Sequence, residues 1–370
     1  MSAETAFYPV LSEMTDKWMD LFGYLAPSVV SDTLGEYRAV RETAGLMDFS
    51  MLRKVDVTGQ GAVDFMDRML TRDLSRVPLG HIAYGALTDE DGLMVDDCTA
   101  SIVSPEHVRF CGANDLDAEI FARHAPGTAI EVRTFTDDMP HLCVQGPLSR
   151  RILQSMTEDD LSNANFPYYT FRTDVTIAEI PVFMTRLGYT AELGYELWVD
   201  KERALDLFAA LLKAGDPFAM RTIGMDALDL FRIEGGFIIG GIEYDRTVSP
   251  YECGLGWSVD LAKDDFTGKG ALAKAKETTE LRLTSVVLED GGPAASGAEI
   301  LVGGERRGLV TQAISSPHLS GRTLGLAKIS RPHNAEGTSF VAIVEGREVG
   351  GEVVSHPVYD PRRKRAKELD

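Results

Sequence analysis

The chain holds only four cysteines, Cys98, Cys111, Cys143 and Cys253, among 370 residues. They stand far apart, with no CxxC pair and no companion histidine at ligand spacing. That excludes a disulfide-built scaffold and points to free thiols in a reducing compartment. His81, His107, His124, His141, His318, His333 and His356 fall at no metal spacing either, so the pattern gives no metal site. Long hydrophobic runs are missing: nothing approaches the ~20 apolar residues that span a bilayer. The opening MSAETAFYPVLSEMTDKW lacks a basic region followed by an apolar one, and a cytoplasmic protein is expected. Basic charge is in deficit, with 37 Lys and Arg against 57 Asp and Glu, a net charge of −20. A field of that sign repels nucleic acid and anionic membrane, so neither is an expected partner. Absent too are a GxxxxGK[ST] phosphate loop, a GxGxxG turn opening a helix, HExxH and GxSxG. The pairs Gly235-Gly236 and Gly240-Gly241 lack the Lys and Ser/Thr of a phosphate cradle and fit close backbone packing instead.

What is present is an ordinary folded composition, 44% hydrophobic and 25% charged. At roughly 150 residues per domain the chain makes two or three domains. Leu34, Tyr37 and Arg41 share one face of a helix over 33–45. KVDVTG (54–59) reads as a strand, QGAVDFMDRML (60–70) as a helix, and 81–103 as two strands around Asp89-Glu90-Asp91-Gly92. HVRFCGA (107–113), NDLDAEIFARHA (114–125) and AIEVRTF (129–135) follow as strand, helix and strand. Over 54–135 this gives the β-α-β-β-α-β rhythm of a ferredoxin-like unit. A second such unit is expected around PVFMTRL (181–187), YELWVD (195–200) and the helices 202–215 and 225–236. From about 280, short strands between Gly turns predict a terminal β-barrel or jelly-roll-like domain. The fold class is α+β.

Three carboxylate sites stand out. Asp96 and Asp97 are adjacent on a strand, so they face opposite ways, one toward solvent and the other into a cleft or core. The alternative is an acidic pair flanking a turn. Glu196 lies among apolar neighbours on a strand, where an inward carboxylate needs a donor. Glu234 sits beside Arg232 near a helix end, and an ion pair or helix cap is the alternative to a functional role. The tail gathers Arg362, Arg363, Lys364, Arg365 and Lys367, either a frayed terminus or a cationic spot for a small polyanion.

Seven segments in order carry a resemblance: EYRAVRETAGLMDFS (36–50), FMDRMLTRDLSRVPLGHIAYGALTDEDGLMVDD (65–97), VQGPLSRRIL (144–153), RLGYTAELGYELWV (186–199), ALDLFRIEGGFIIGG (227–241), SPYECGLGWSVDLAKDDFTGKGAL (249–272) and the strand-rich end. Together they resemble the T-protein (aminomethyltransferase) superfamily of folate-dependent enzymes, over about 30–360. The resemblance implies a three-domain cloverleaf with tetrahydrofolate in its central opening. Residues 1–53 with 137–250 would form the folate-binding α+β domain, 54–136 a second one, 251–279 a connection and 280–370 the β domain. It further implies that Asp97 is the catalytic carboxylate beside the reactive end of the folate. Tyr84, Tyr168, Tyr169 and Tyr189 would line the cofactor, Glu196 would hold the pterin, and Arg232 and Arg365 would complete the cofactor contacts. The basic tail would receive a polyglutamate chain.

Departures from the T-protein pattern bear on the donor. Asp48-Phe49-Ser50-Met51-Leu52 replaces the usual Asp-Val-Ser-His-Met, Leu228 stands for an Arg, Cys111 for an Asn and Phe237 for a Tyr. RIEGGF and LTRDL are similar to dimethylsulfoniopropionate demethylase and related folate-dependent demethylases, although those often lose the second Asp, retained here as Asp97. The resemblance thus implies methyl transfer from a small S-, N- or O-methylated compound to N5 of tetrahydrofolate. A glycine-cleavage aminomethyltransferase working with a carrier protein is the second reading. A non-enzymatic folate-binding protein is the third, set back by FIIGGIEYDRTVSP, which lacks the Cys of that subfamily's motif.

Overall fold

Apolar runs buried on both faces mark the central strands of the first sheet. His141–Gln145 and Gly194–Val199 are buried at every residue, the signature of strands covered on both sides. The computed structural model describes residues 2–369. Its six-stranded sheet runs in the order Phe171–Ile177, Ile180–Thr185, Gly194–Val199, His141–Gln145, Gly45–Asp48 and Arg221–Thr222, antiparallel except for the last pair. On one face Leu142, Val144, Tyr195, Leu197 and Val199 join Leu207, Phe208 and Leu211 of the helix Ala204–Gly215 in one core. Period-2 alternation therefore turns His141, Cys143, Glu196 and Trp198 to the other face, toward the second domain.

That second domain carries five strands in the order Ile82–Thr88, Met94–Ser104, His107–Gly112, Arg53–Thr58 and Glu131–Thr134. Phe65, Met66 and Met69 of the helix Ala62–Met69, and Phe121 of the helix Asp117–His124, cover one side. Three strands lie between these helices, as the segments 81–103 and 107–113 together give, one more than the β-α-β-β-α-β rhythm of a ferredoxin-like unit has. The short link after Ser104 lets His107–Gly112 fold straight back as a further hairpin arm. The terminal domain is a closed six-stranded barrel formed by Leu281–Leu288, Arg322–Ser330, Glu305–Ser316, Glu299–Val302, Ser339–Val344 and Arg347–Val354.

Two local expectations change. In the helix Thr33–Glu42, Tyr37 is buried but Leu34 is exposed, because the first turn clears the sheet edge. Its inward position goes to Glu36, whose carboxylate accepts from the backbone N–H groups of Val30, Ser31 and Gly224. The tail is not frayed: Lys364–Glu368 is a helical turn, Ala366 is buried and Leu369 packs against the first core. A central apolar cluster ties the bodies together. It takes Met47 and Met51 from the first domain, Ala86 and Met94 from the second, Leu228 and Tyr244 from the crossing segment, and Leu283 and Leu324 from the barrel.

Candidate active site at the domain junction

The strand Met94–Ser104 turns Asp96 and Asp97 to opposite faces, as alternation requires: Asp96 is buried and Asp97 half-buried. Asp97 pairs across the sheet with Ala86, two residues from Tyr84, so Tyr84 and Asp97 share a face. The Tyr84 hydroxyl donates to Asp97 Oδ2 at 2.6 Å. Tyr244, arriving from a loop 147 residues away in sequence, places its hydroxyl 2.6 Å from Asp97 Oδ1 and 2.9 Å from Asp96 Oδ1. The Asp97 N–H donates to the same phenol oxygen at 3.1 Å. Burial, and then the neighbouring Asp96 charge, push the Asp97 carboxyl up to about 6. Among the described residues no Lys, Arg or His forms an ion pair with Asp97.

Glu196 comes from the first sheet. Both protein contacts fall on Oε2: the Thr185 hydroxyl donates at 3.0 Å and His141 Nε2 lies 3.3 Å away. No protein donor among the described residues reaches Oε1, on a residue only 8% exposed. Tyr168 and Tyr169 stand edge to face at 4.6 Å, and Tyr169 adopts a left-handed backbone with φ of 64°. Its carbonyl accepts from Ile82 N–H at 2.9 Å, and its own N–H donates to the Arg186 carbonyl at 3.0 Å, so this strained residue joins the two α+β domains. Tyr189 stacks on Phe237 at 5.1 Å, and its hydroxyl donates to the Ile238 carbonyl. Tyr84, held well above the usual phenol range by burial and the Asp97 charge, also senses Tyr169 and Tyr189. The expected carboxylates and tyrosines therefore gather around one junction.

The two arginines expected to touch the cofactor lie elsewhere. Arg232 is fully buried, donating to Asp229, Glu243, the Phe237 carbonyl and Gln312. Every nitrogen is engaged, so it locks the helix Met225–Gly235 to the loop and barrel instead of facing a ligand. Nor does it pair with Glu234. That carboxylate accepts from Tyr37, Arg41, Ser316 and the His318 N–H. Arg365 donates to Glu192 at 2.7 Å and accordingly holds the tail in place. The tail residue that faces the junction is Arg363. Its guanidinium lies 4.5 Å from the Phe237 ring centre and senses Tyr168, Tyr169 and Tyr84. Its Nη1 is buried with no hydrogen-bond partner.

Sequence reasoning missed Tyr244 and Trp257, and named Arg363 only as one of five tail cations. Tyr244 sits in a segment without periodicity, and its signal would have been a phenol next to an otherwise unpaired acidic pair. Trp257 is 60% exposed yet stacks on Tyr84 at 6.0 Å, at the rim of the junction. The histidine reading also changes locally: His141, Cys143 and Glu196 present donor atoms within 4.8 Å of one another, the group among the described residues able to converge on a metal ion. Strand alternation brings His141 and Cys143 onto the face of Glu196, a proximity that helix or loop spacing rules do not register.

Comparison with known proteins fits this arrangement. The family model described as the GCVT N-terminal domain matches residues 7–263, and the glycine cleavage T-protein C-terminal barrel domain matches 282–360. An aminomethyltransferase of Alkaliphilus metalliredigens is 32% identical over 98% of this chain and 99% of its own. A trimethylamine-oxide aldolase of Ruegeria pomeroyi is 29% identical over 99% of this chain and 48% of its own. The crystal structure of the glycine cleavage system aminomethyltransferase T from Bartonella henselae superimposes with a TM-score of 0.88 at 22% identity, covering 98% of this chain and 99% of that one. The chain belongs to the glycine-cleavage T-protein (aminomethyltransferase) family, whose members are one-carbon transferases using tetrahydrofolate.

Proposed function

We propose that this protein moves a methyl group from a small S-, N- or O-methylated compound to N5 of tetrahydrofolate. The observation that carries this reading is Asp97: a half-buried carboxylate held by two phenol hydroxyls, with no cation paired to it among the described residues. Such a group favours positive charge developing beside it.

The residues present fit a folate. Glu196 keeps one oxygen free beside a chain-bonded one, which suits the adjacent N–H and amino group of a pterin. Tyr84, Tyr168, Tyr169 and Tyr189 supply flat apolar walls with polar tips. The unpartnered Nη1 of Arg363 is a donor in want of an acceptor, such as a carbonyl or carboxylate of the ligand. Bound there, tetrahydrofolate supplies the amine lone pair that receives the carbon. Asp97 orients that amine, stabilises its developing charge and accepts the proton it sheds. The aromatic walls and Trp257 exclude water and hold nucleophile and donor in line.

Methyl transfer is favoured over aminomethyl transfer by the apolar residues that stand where the T-protein pattern has polar ones. Leu228 is buried in the central cluster, and Cys111 lies in an aromatic patch with Phe171, Phe183 and Trp198. Aminomethyl transfer from a carrier protein is the second reading, supported by 32% identity to an aminomethyltransferase over almost the whole chain. Incubation with tetrahydrofolate and a panel of methylated donors, with folates read by mass spectrometry, separates the two. Donor-dependent 5-methyltetrahydrofolate, lost in Asp97→Ala, supports methyl transfer. Methylenetetrahydrofolate formed only with an aminomethyl-loaded carrier supports the second.

A further inference from the structure

Behind Asp97 lies a chain of acids that the proposed reaction has not yet used. Asp96 Oδ2 accepts from the Ala113 N–H at 2.5 Å and the Asn114 N–H at 3.1 Å, while Oδ1 takes the Tyr244 hydroxyl. Asp117, the first residue of its helix, is fully buried, and no protein donor stands in hydrogen-bond geometry to either of its oxygens, the Asn114 N–H being the backbone group nearest in influence. Its carboxyl instead faces that of Asp96 across Gly112, where an added Cβ would collide with an oxygen of each. No Lys, Arg or His pairs with Asp96 or Asp117 among the described residues. Arg53, the basic group nearest in influence, is committed to Asp115. Three carboxylates are therefore linked, Asp117 to Asp96 at Gly112 and Asp96 to Asp97 through the Tyr244 hydroxyl, with no cation paired to any of them among the described residues. An ionised Asp117 would be a buried anion with neither donor nor cation, which is prohibitively costly. A protonated Asp117 becomes the donor that Asp96 faces.

We propose that Asp117 holds a fixed proton against Asp96, and that the Tyr244 hydroxyl, within reach of both Asp96 and Asp97, sets how strongly Asp97 binds a proton. The phenol has one hydrogen for two carboxylates. Directed at Asp97, it stabilises the carboxylate and lowers its basicity. Directed at Asp96, it leaves Asp97 one donor fewer and more basic. Resting on the function proposed above, this gives the basicity a use. When an amine N–H gains a methyl group, the donor heteroatom leaves with the electron pair of its bond to carbon, and the amine must release one proton. Asp97 takes that proton as the Tyr244 hydroxyl turns to Asp96. Tyr244, Asp96 and Asp117 are positioning residues, acting through Asp97. The titratable groups facing Asp97 are Tyr84, Tyr244, Tyr189, Asp96, Cys98 and Cys253, with Asp117 one carboxyl further in.

The test uses the ligand-free full chain, so it stands whether or not the functional reading does. Asp97 is titrated by carboxyl NMR in the wild type, Tyr244→Phe and Asp117→Asn, and carboxylic-acid C=O stretches are read by infrared above the Asp97 titration. The wild type shows one acid band, which Asp117→Asn removes while leaving the Asp97 titration in place. Tyr244→Phe raises that titration by ~1 pH unit, the loss of one donor to the ionised form, and the acid limb of any turnover rises with it. An absent acid band, or an Asp97 titration lowered by Asp117→Asn, would show Asp117 to be charged and overturn the fixed proton. An unmoved titration in a folded Tyr244→Phe overturns the role of the phenol. Should that variant not fold, the infrared result on the wild type and Asp117→Asn decides for or against the fixed proton by itself.

Discussion

Two buried acid clusters flank the domain junction, and they are neutralised in opposite ways. Around Glu192 and Glu234 the protein supplies guanidinium: Arg41 reaches Glu192 at 3.2 Å and Glu234 at 2.9 Å, and Arg365 reaches Glu192 at 2.7 Å. The Arg41 guanidinium also lies over the Tyr359 ring at 3.7 Å. Around Asp96, Asp97 and Asp117 it supplies only hydroxyls, backbone N–H groups and protons. Fixed cations make a rigid joint, whereas protons and phenols leave a charge that can change. The first cluster is built for stability and the second for chemistry.

Exchanging the two behaviours would break this contrast. Asp97→Asn should lower single-turnover transfer by about 10²–10⁴-fold, the usual weight of a positioned acid or base, with tetrahydrofolate affinity changed far less. The same variant should raise stability. Asp97 titrates near 6 in the fold against 3.8 for the ordinary group, so its charge burdens the folded state fully above pH 6, and the burden fades as pH falls toward 3.8. Urea unfolding should therefore find Asp97→Asn more stable than wild type at neutral pH, and no different at the acid end of that window. Equal stability throughout would place the Asp97 charge in water.

Arg41→Ala should do the reverse. Leaving Glu192 and Glu234 buried without their shared cation costs about 3–5 kcal/mol of unfolding free energy, read as a lower urea midpoint. Glu196→Gln tests the intermediate case, a carboxylate half committed to the protein. Losing its charge-assisted bonds should weaken folate binding by about 1.5–3 kcal/mol, measured by calorimetry, with the rate at saturating folate little changed. A fall in rate with unaltered affinity would move Glu196 from binding to chemistry. The smallest effect belongs to the tail. Arg362 and Lys367 are exposed, unlike Arg365. Replacing both with Ala should weaken polyglutamyl folate by about 0.2–1 kcal/mol per lost contact and spare monoglutamyl folate; equal losses would reject the tail as a polyglutamate dock.

Much of this architecture can be read from local sequence, and the limits of that reading have a physical cause. Period-2 alternation separates Asp96 from Asp97 and turns Glu196 out of the first core, because the pleat is a property of neighbouring residues. Helical spacing likewise gives Met66 and Met69 their common face, although Leu34 shows that a stripe does not tell which turn clears the core. The partners of those carboxylates are another matter. Tyr244, Asp117 and Arg363 reach the junction from separate loops and termini, and only tertiary packing brings them there. The basic tail illustrates the difference: five cations look alike in sequence, yet one is pinned by Glu192, one faces the tyrosines and three meet solvent.

The sheets also differ in whether they have ends. The barrel closes on itself and offers no row of unpaired backbone groups. The open sheets do end, and two of their margins are Phe171–Ile177 and Glu131–Thr134. The first is broken by a register shift between Arg172 and Val175, and the second turns Glu131, Arg133 and Thr134 to solvent. A kinked or charged margin is a poor template for a strand from another molecule. At these two margins crowded copies of this protein thus find no flat border along which to zip into fibrils, and straightening that register or replacing Glu131 and Arg133 by valine would create one.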